Sequence, residues 1–269
     1  MDEFHLTSTD NPKIKRVLKL RDRRDRDDEK AFLIEGYREL LRGSEKNISL
    51  QQLFICRELF LGTNEDALIA KFPNAQIISC SKRVFEKISY RDRPDGLLGI
   101  AQQFSATLQD IEILLKSKKN PWIVIAEGIE KPGNLGTILR SCDAAGVDAL
   151  LVADPKTDIY NPNVVRASVG TLFTVPVLQA SSKDAYALCK SLGLKIVAAT
   201  PQGTASYTET KLQDPLAIIM GTEQLGLSDF WMKKADIQTF IPMRGNADSL
   251  NVAMATTLLV FEAARQRHE

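Results

Sequence analysis

Apolar positions along the chain fall into short continuous runs separated by stretches with three-to-four-residue spacing, the alternation expected of an α/β protein. Near the start, Asn11-Pro12 predicts a helix N-cap followed by proline in the first turn, with Ile14, Val17 and Leu18 on one apolar face. Apolar runs at 32–34, 53–56, 76–79 and 97–101 predict strands, and the spacing at 37–41, 64–72 and 82–88 predicts helices between them. Thr107 opens a further predicted helix carrying Leu108, Ile111, Leu114 and Leu115, which runs into lysines and Asn120-Pro121. Strand-like runs then return at 122–126, 149–153, 173–178, 195–199, 216–220 and 237–241, with helices beginning near Asn134, Pro162, Ser181, Ser228 and Ser249. Strands this apolar, joined by crossovers this long, predict a mainly parallel sheet covered by helices on both faces. The expected division is a basic helical arm at 1–29, a small α/β sandwich at 30–105, a helical linker at 106–120 and the larger α/β domain at 121–269.

The 269 residues are 44% hydrophobic and 26% charged, and 35 basic side chains nearly balance 34 acidic ones, which excludes a disordered or polyelectrolyte chain. Cys56, Cys80, Cys142 and Cys189 form no close pairs, and the two histidines, His5 and His268, stand near the chain ends. No zinc site, disulfide framework or histidine triad is expected; the thiols read as small core residues in a reducing compartment. The start lacks the basic and apolar regions of a signal peptide, and no run of 18 apolar residues occurs, so a cytoplasmic protein without a membrane span is expected. Between Lys13 and Arg26 eight basic residues face two acidic ones. They read either as a solvated helical face or as an arm that contacts phosphates.

Three strand ends carry more chemistry than a turn needs. After the strand at 122–126, Asn134, Gly136 and Arg140 stand at a helix start, Asn134 as a candidate cap and Arg140 as a cation among small and apolar neighbours. After the strand at 216–220, Gly221 permits close approach of backbone to a ligand, and Glu223 places a carboxylate beside it. After the strand at 237–241, Pro242 and a glycine-bearing loop lead to Asp248 or Ser249 as the cap of the last helix, with Asn251 in its first turn. No phosphate-loop lysine and no Gly-x-Gly-x-x-Gly follows any strand.

These segments resemble, in order, the three motifs of the SpoU (TrmH) class of the SPOUT RNA ribose methyltransferases: Asn-x-Gly-x-x-x-Arg at 134–140, Gly-x-Glu-x-x-Gly-Leu at 221–227, and Ile-Pro-Met then Ser-Leu-Asn-Val at 241–252. The resemblance spans about residues 121–267, including the run from Asp158 to Gly170, and 30–104 is more loosely similar to a ribosomal-protein-like substrate-binding domain. It implies a deep trefoil knot and S-adenosylmethionine held at Thr200, Gly221, Ile241, Met243 and Leu250. It also implies a homodimer and catalytic positions at Asn134, Arg140, Glu223, Ser249 and Asn251. Thr222 departs from the asparagine frequent in the family. Arg244 is either an RNA contact or a solvated residue.

The implied activity is S-adenosylmethionine-dependent methylation of an RNA 2'-hydroxyl. Ribosomal RNA of the large-subunit 23S type is favoured because an extra domain precedes the catalytic one. The alternatives are a transfer-RNA enzyme or an inactive RNA-binding assembly or resistance factor. The last helix, through Val252, Ala253, Thr256, Leu259, Val260 and Ala263, is expected to be buried against both its own sheet and a dimer partner, with burial inside one protomer as the alternative.

Overall fold

A computed structural model describes residues 4–268; residues 1–3 and 269, where the first and last predicted segments begin and end, lie outside them. The chain divides into two compact units, one of residues 1–104 and 158–174 and one of residues 105–157 and 175–269.

The first unit contains β1 (Phe4–Leu6), α1 (Pro12–Lys19), α2 (Arg23–Glu29), β2 (Ala31–Glu35), α3 (Tyr37–Glu45) and β3 (Leu50–Ile55). α4 (Glu65–Ile69), β4 (Gln76–Cys80), α5 (Lys82–Ile88) and β5 (Leu97–Gln102) follow. Its five strands lie in the order β1-β4-β3-β5-β2, with β5 antiparallel to both its neighbours. Asn11 caps α1 by accepting from the Lys13 N–H, and Ile14 and Val17 are buried, as the sequence predicts. The strand β1 carried no such signal; it is short and pairs parallel with β4 along the sheet edge.

The basic run is largely consumed by this unit's own structure. Arg26 is 1% exposed, pairs with Asp158 at 2.8 Å and donates to the carbonyls of Leu20 and Arg21. Arg21 donates to the carbonyls of residues 87–89, and Arg16 pairs with Glu29 and donates to Gln51 and Gln52. Lys13 donates to Gln76, and Arg23 and Arg24 pair with Asp27 and Asp28, so six of the eight cations have partners within this unit.

Residues 158–174, which the sequence places in the larger domain, belong to the first unit. Aromatic packing and the buried ion pair explain it: Tyr160 lies 4.7 Å from Phe32 and Phe173 lies 6.1 Å from Phe104, ring to ring, while Arg26 anchors Asp158. Phe173 accordingly sits in a short 3-10 turn, not in the strand predicted at 173–178.

In the second unit come α6 (Leu108–Lys116), β6 (Trp122–Glu127), α7 (Pro132–Ala145) and β7 (Ala149–Ala153); α8 (Pro162–Ser168) lies in the segment just described. β8 (Val177–Ala180), α9 (Ser182–Ser191), β9 (Lys195–Ala199), β10 (Ala205–Ser206), β11 (Leu216–Met220), α10 (Asp229–Lys234), β12 (Ile237–Phe240) and α11 (Val252–His268) complete it. All seven strands are parallel, in the order β10-β12-β9-β11-β6-β7-β8. α6 starts on a reciprocal Thr107–Asp110 capping box and buries Ile111 and Leu115 in this unit's core, so it is more than a linker.

The last helix packs on α7 and β11 of its own unit. Val252, Ala253, Thr256, Leu259, Val260 and Ala263 are buried within the protomer itself. Its exposed apolar residues are Met254, Leu258 and Phe261, at helical spacing, with Leu250 just before its cap. The four cysteines are free and buried, and burial pushes the thiols of Cys80 and Cys189 up to about 12. No described helix is long and apolar enough to cross a membrane, and no cluster of three metal-ligating side chains occurs among the described residues.

Candidate active site

In a parallel sheet, ligands gather beyond the carboxyl ends of strands where the strand order reverses. Here the chain moves outward from β6 to β7 and β8, then returns to the other side for β9, and β11 inserts between β9 and β6. A cleft of about 510 Å³ opens at this point, walled by the residues after β9, β11 and β12 and by the start of α11. That size suits a small organic cofactor. Thr200, Gly221, Ile241, Met243 and Leu250 all line it, as do Glu223, Ser249 and Asn251.

The catalytic candidates divide into a connected group and an isolated one. The Asn251 amide donates to Asn134 Oδ1 at 3.0 Å, and the Asn134 amide donates to Glu223 Oε1 at 2.7 Å. Glu223 also accepts the backbone N–H of Glu130 at 3.0 Å and of Lys131 at 3.1 Å. One side chain from each of three strand ends thus joins a single polar chain. Burial opposes ionisation of Glu223, but these donors outweigh it and hold its carboxyl below the ordinary range. Glu223 is therefore an anchored anion with its lone pairs engaged, not a free base.

Ser249 is exposed at the cleft and has no hydrogen-bond partner among the described residues. Arg140 is exposed on α7, likewise unpartnered there, and does not line the cleft. Six residues separate it from Asn134, which on a helix carries it about 9 Å along the axis and onto a different face. Arg244 is exposed.

Two caps differ from expectation. α7 begins at Pro132 with Lys131 at the cap, so Asn134 is already inside the first turn and its side chain is free for Glu223. α11 is capped by Asn251, whose Oδ1 accepts from the Ala253 N–H at 2.9 Å; Asp248 and Ser249 lie before it. Asn251 therefore uses one side-chain atom to cap a helix and the other to hold Asn134.

Gly221 is required by a closer neighbour than a ligand. A Cβ there would come nearer than 3.0 Å to the backbone of Gly226 and Leu227, because Thr222 and Gly226 exchange two backbone hydrogen bonds and fold the loop back on itself. Thr222 also receives the Leu225 N–H on its hydroxyl at 3.1 Å, so a hydroxyl serves where an asparagine is frequent. Sequence reasoning missed Gln202, which accepts from the Thr200 hydroxyl on the cleft wall, and Glu127, 5% exposed, which accepts the Ser228 N–H at 2.9 Å. Each directly precedes a glycine, Gly203 and Gly128, but neither falls within one of the three ordered motifs.

The sheet, the cleft at its switch point and the Asn–Asn–Glu chain define a cofactor-dependent α/β enzyme. Comparison with known proteins makes the class specific: residues 121–261 match the SpoU rRNA Methylase family and residues 11–99 match the MRM3-like substrate binding domain. The chain belongs to the SpoU rRNA methylase family. It is 27% identical over 256 residues, 95% of this chain and 97% of the relative, to the 23S rRNA (guanosine(2553)-2'-O)-methyltransferase RlmP of Bacillus subtilis strain 168. A crystal structure of an RNA 2'-O ribose methyltransferase is 40% identical, with a TM-score of 0.85 covering 99% of this chain and 100% of that one. An AdoMet-bound rRNA methyltransferase from Sinorhizobium meliloti is 29% identical, with a TM-score of 0.87 over 97% of both chains.

The chain is an S-adenosylmethionine-dependent RNA 2'-O-ribose methyltransferase. Its cleft fits the cofactor: Ile241, Met243 and Leu250 offer apolar surface to flat or aliphatic parts, while Thr200 and Gln202 offer polar groups at one wall.

Proposed function

We propose that the substrate is ribosomal RNA of the large subunit and that the polar chain at the cleft mouth orients the target ribose. The observation that carries the ribosomal reading is the match of both units, 95% of the chain, to an enzyme named for 23S rRNA. A transfer-RNA substrate is the alternative.

When bound, S-adenosylmethionine supplies the methyl group that the 2'-oxygen accepts, and Thr200, Gly221, Ile241, Met243 and Leu250 hold it. Glu223, fixed by three donors, locks Asn134, and Asn134 in turn fixes Asn251. Ser249 and Asn251 then meet the ribose hydroxyl with preset geometry, which lowers the cost of alignment. Arg140 serves as a phosphate clamp and charge stabiliser through its guanidinium donors. Its exposure and its distance from its own cleft support action at the cleft of a second copy. The exposed Leu250, Met254, Leu258 and Phe261 support a homodimer through this unit. Insertion of β11 between two earlier strands supports a trefoil knot. Buried, unpaired thiols support a reducing, cytoplasmic setting.

Incubation with methyl-labelled S-adenosylmethionine and deproteinised bacterial 23S rRNA, followed by mapping of 2'-O-methyls, tests the reading. Label at one ribose of 23S rRNA is expected; label on transfer RNA alone overturns the ribosomal assignment.

A further inference from the structure

Residues of the first unit line an open groove of about 810 Å³, walled by the start of α3, residues 61–65, residues 91–95 and α8. Arginines and carboxylates border it in equal number, yet they are not equally available. Glu39 pairs with Arg91 at 2.5 Å, Glu65 accepts the N–H groups of Leu61 and Gly62, and Asp95 accepts the Tyr37 N–H at 2.7 Å; all three carboxylates are buried. Arg38, Arg93 and Arg166 are exposed, and their guanidinium groups have no hydrogen-bond or ion-pair partner among the described residues. Asp92 is the one exposed acid on the lining. The accessible charge is thus three cations against one anion.

The floor adds a second, independent observation. Asp95, 8% exposed, keeps Oδ1 without a hydrogen-bond partner, and Arg91 keeps Nε without one. A buried acceptor and a buried donor that do not meet each other are costly to a folded protein unless a ligand or solvent meets them. Gly36 holds this floor together: at φ +112° it lets Arg91 and Glu39 pack where a Cβ would collide with both. A ligand with spaced anionic groups and hydroxyls that both donate and accept matches the rim and the floor together. The ribose-phosphate backbone of RNA is such a ligand.

We infer that this groove binds the sugar-phosphate backbone of the substrate RNA, with Arg38, Arg93 and Arg166 contacting phosphates. The inference rests on the reading of the substrate as RNA and names the surface that grips it. Arg166 belongs to the stretch that matches the methylase family, yet it folds into the first unit beside residues of the substrate-binding match. The groove is therefore assembled from both matched regions of the chain.

The test uses the full chain, deproteinised 23S rRNA as probe, and Arg38→Gln, Arg93→Gln, Arg166→Gln and the triple variant, with Lys15→Gln/Lys19→Gln as a control on exposed arm cations. Each lost phosphate contact lowers the slope of log affinity against log salt by about 0.7 to 0.9, so the triple variant is expected to lose about 2 to 3 from that slope. Its affinity at moderate salt should fall about 100-fold, KM for RNA should rise, and turnover at saturating RNA and affinity for S-adenosylmethionine should stay within twofold of wild type. The arm control should change the slope less than the triple variant. An unchanged slope and KM in the triple variant overturn the proposal, as does a loss of binding to ribosomal particles with none to naked RNA, which would identify a protein partner. If the wild type methylates transfer RNA and not 23S rRNA, the ribosomal reading fails, and the same slopes measured on transfer RNA still decide the groove.

Discussion

Glu223 in the second unit and Glu39 in the first are both carboxylates drawn into hydrogen bonds, yet their environments move them in opposite directions. Burial opposes the charge of Glu223, but the Glu130 and Lys131 N–H groups and the Asn134 amide outweigh it and keep the group ionised below the usual range. Burial dominates at Glu39 and raises its affinity for a proton, although Arg91 pulls the other way; Glu35 is raised likewise, against the Ser89 hydroxyl and the Tyr90 N–H. The cleft therefore holds a permanent anion as a fixed point for orienting amides. The groove keeps three of its four acids buried, so its three exposed arginines outweigh Asp92 in the field that RNA meets.

The sharpest way to break this comparison is at the unpartnered cation. Arg140→Ala should reduce methyl transfer by roughly 100-fold or more, as expected for loss of a preorganised charge-stabilising donor, while calorimetry finds S-adenosylmethionine affinity within a fewfold. Arg140→Lys should recover only part of the rate, since an ammonium lacks the planar fork. A wild-type rate in Arg140→Ala would return the residue to a surface role.

Glu223→Gln comes next. An amide cannot accept from three donors at the old geometry, so the rate should fall about 10-fold or more. Because the folded pKa is depressed, the contribution of Glu223 is present above the ordinary carboxylate range and is lost only as pH falls through the depressed value. The wild-type rate profile should thus show no acid limb from this group at or above the ordinary carboxylate range, and an acid limb there that vanishes in Glu223→Gln would contradict its assignment as a fixed anion.

Asn251 separates its two tasks. Asn251→Ala should lose about 1 kcal/mol of stability with its cap, whereas Asn251→Asp keeps the cap and loses only the donor to Asn134. Melting should distinguish them while both lower the rate; equal melting would remove the capping role.

The smallest effect belongs to the first unit. For Glu35 and Glu39 the folded pKa is raised, so their favourable contribution is full below the unfolded value and fades as pH rises through the folded one. Denaturation of the wild type should show this decline above the ordinary carboxylate range, and Glu35→Gln should flatten it.

Much of this arrangement was legible from the chain. Continuous apolar runs marked β6, β7, β9 and β11 because strands buried on both faces need no alternation, and glycine and asparagine at their ends marked the cleft. The roles of Asn134 and Asn251 were only half legible: a cap and a hydrogen-bond link use the same residue type, and which atom meets which partner depends on β6, β11 and α11 coming together. Residues 158–174 were misassigned because the aromatic contacts of Tyr160 and Phe173 and the pairing of Arg26 with Asp158 join positions more than 60 apart in sequence, which no local pattern reports. The arm's charge was legible, but its consumption by carbonyls and carboxylates was not.

The division between a cleft that reacts and a groove that grips is tested most directly by single-turnover methyl transfer, measured over a range of 23S rRNA concentrations with saturating S-adenosylmethionine. Asn134→Ala should lower the plateau rate about 10-fold or more at an unchanged half-saturating RNA concentration, while Arg38→Gln/Arg93→Gln/Arg166→Gln should reach the wild-type plateau at a far higher RNA concentration. A wild-type plateau in Asn134→Ala, or a lowered plateau with unchanged half-saturation in the triple variant, would contradict that division.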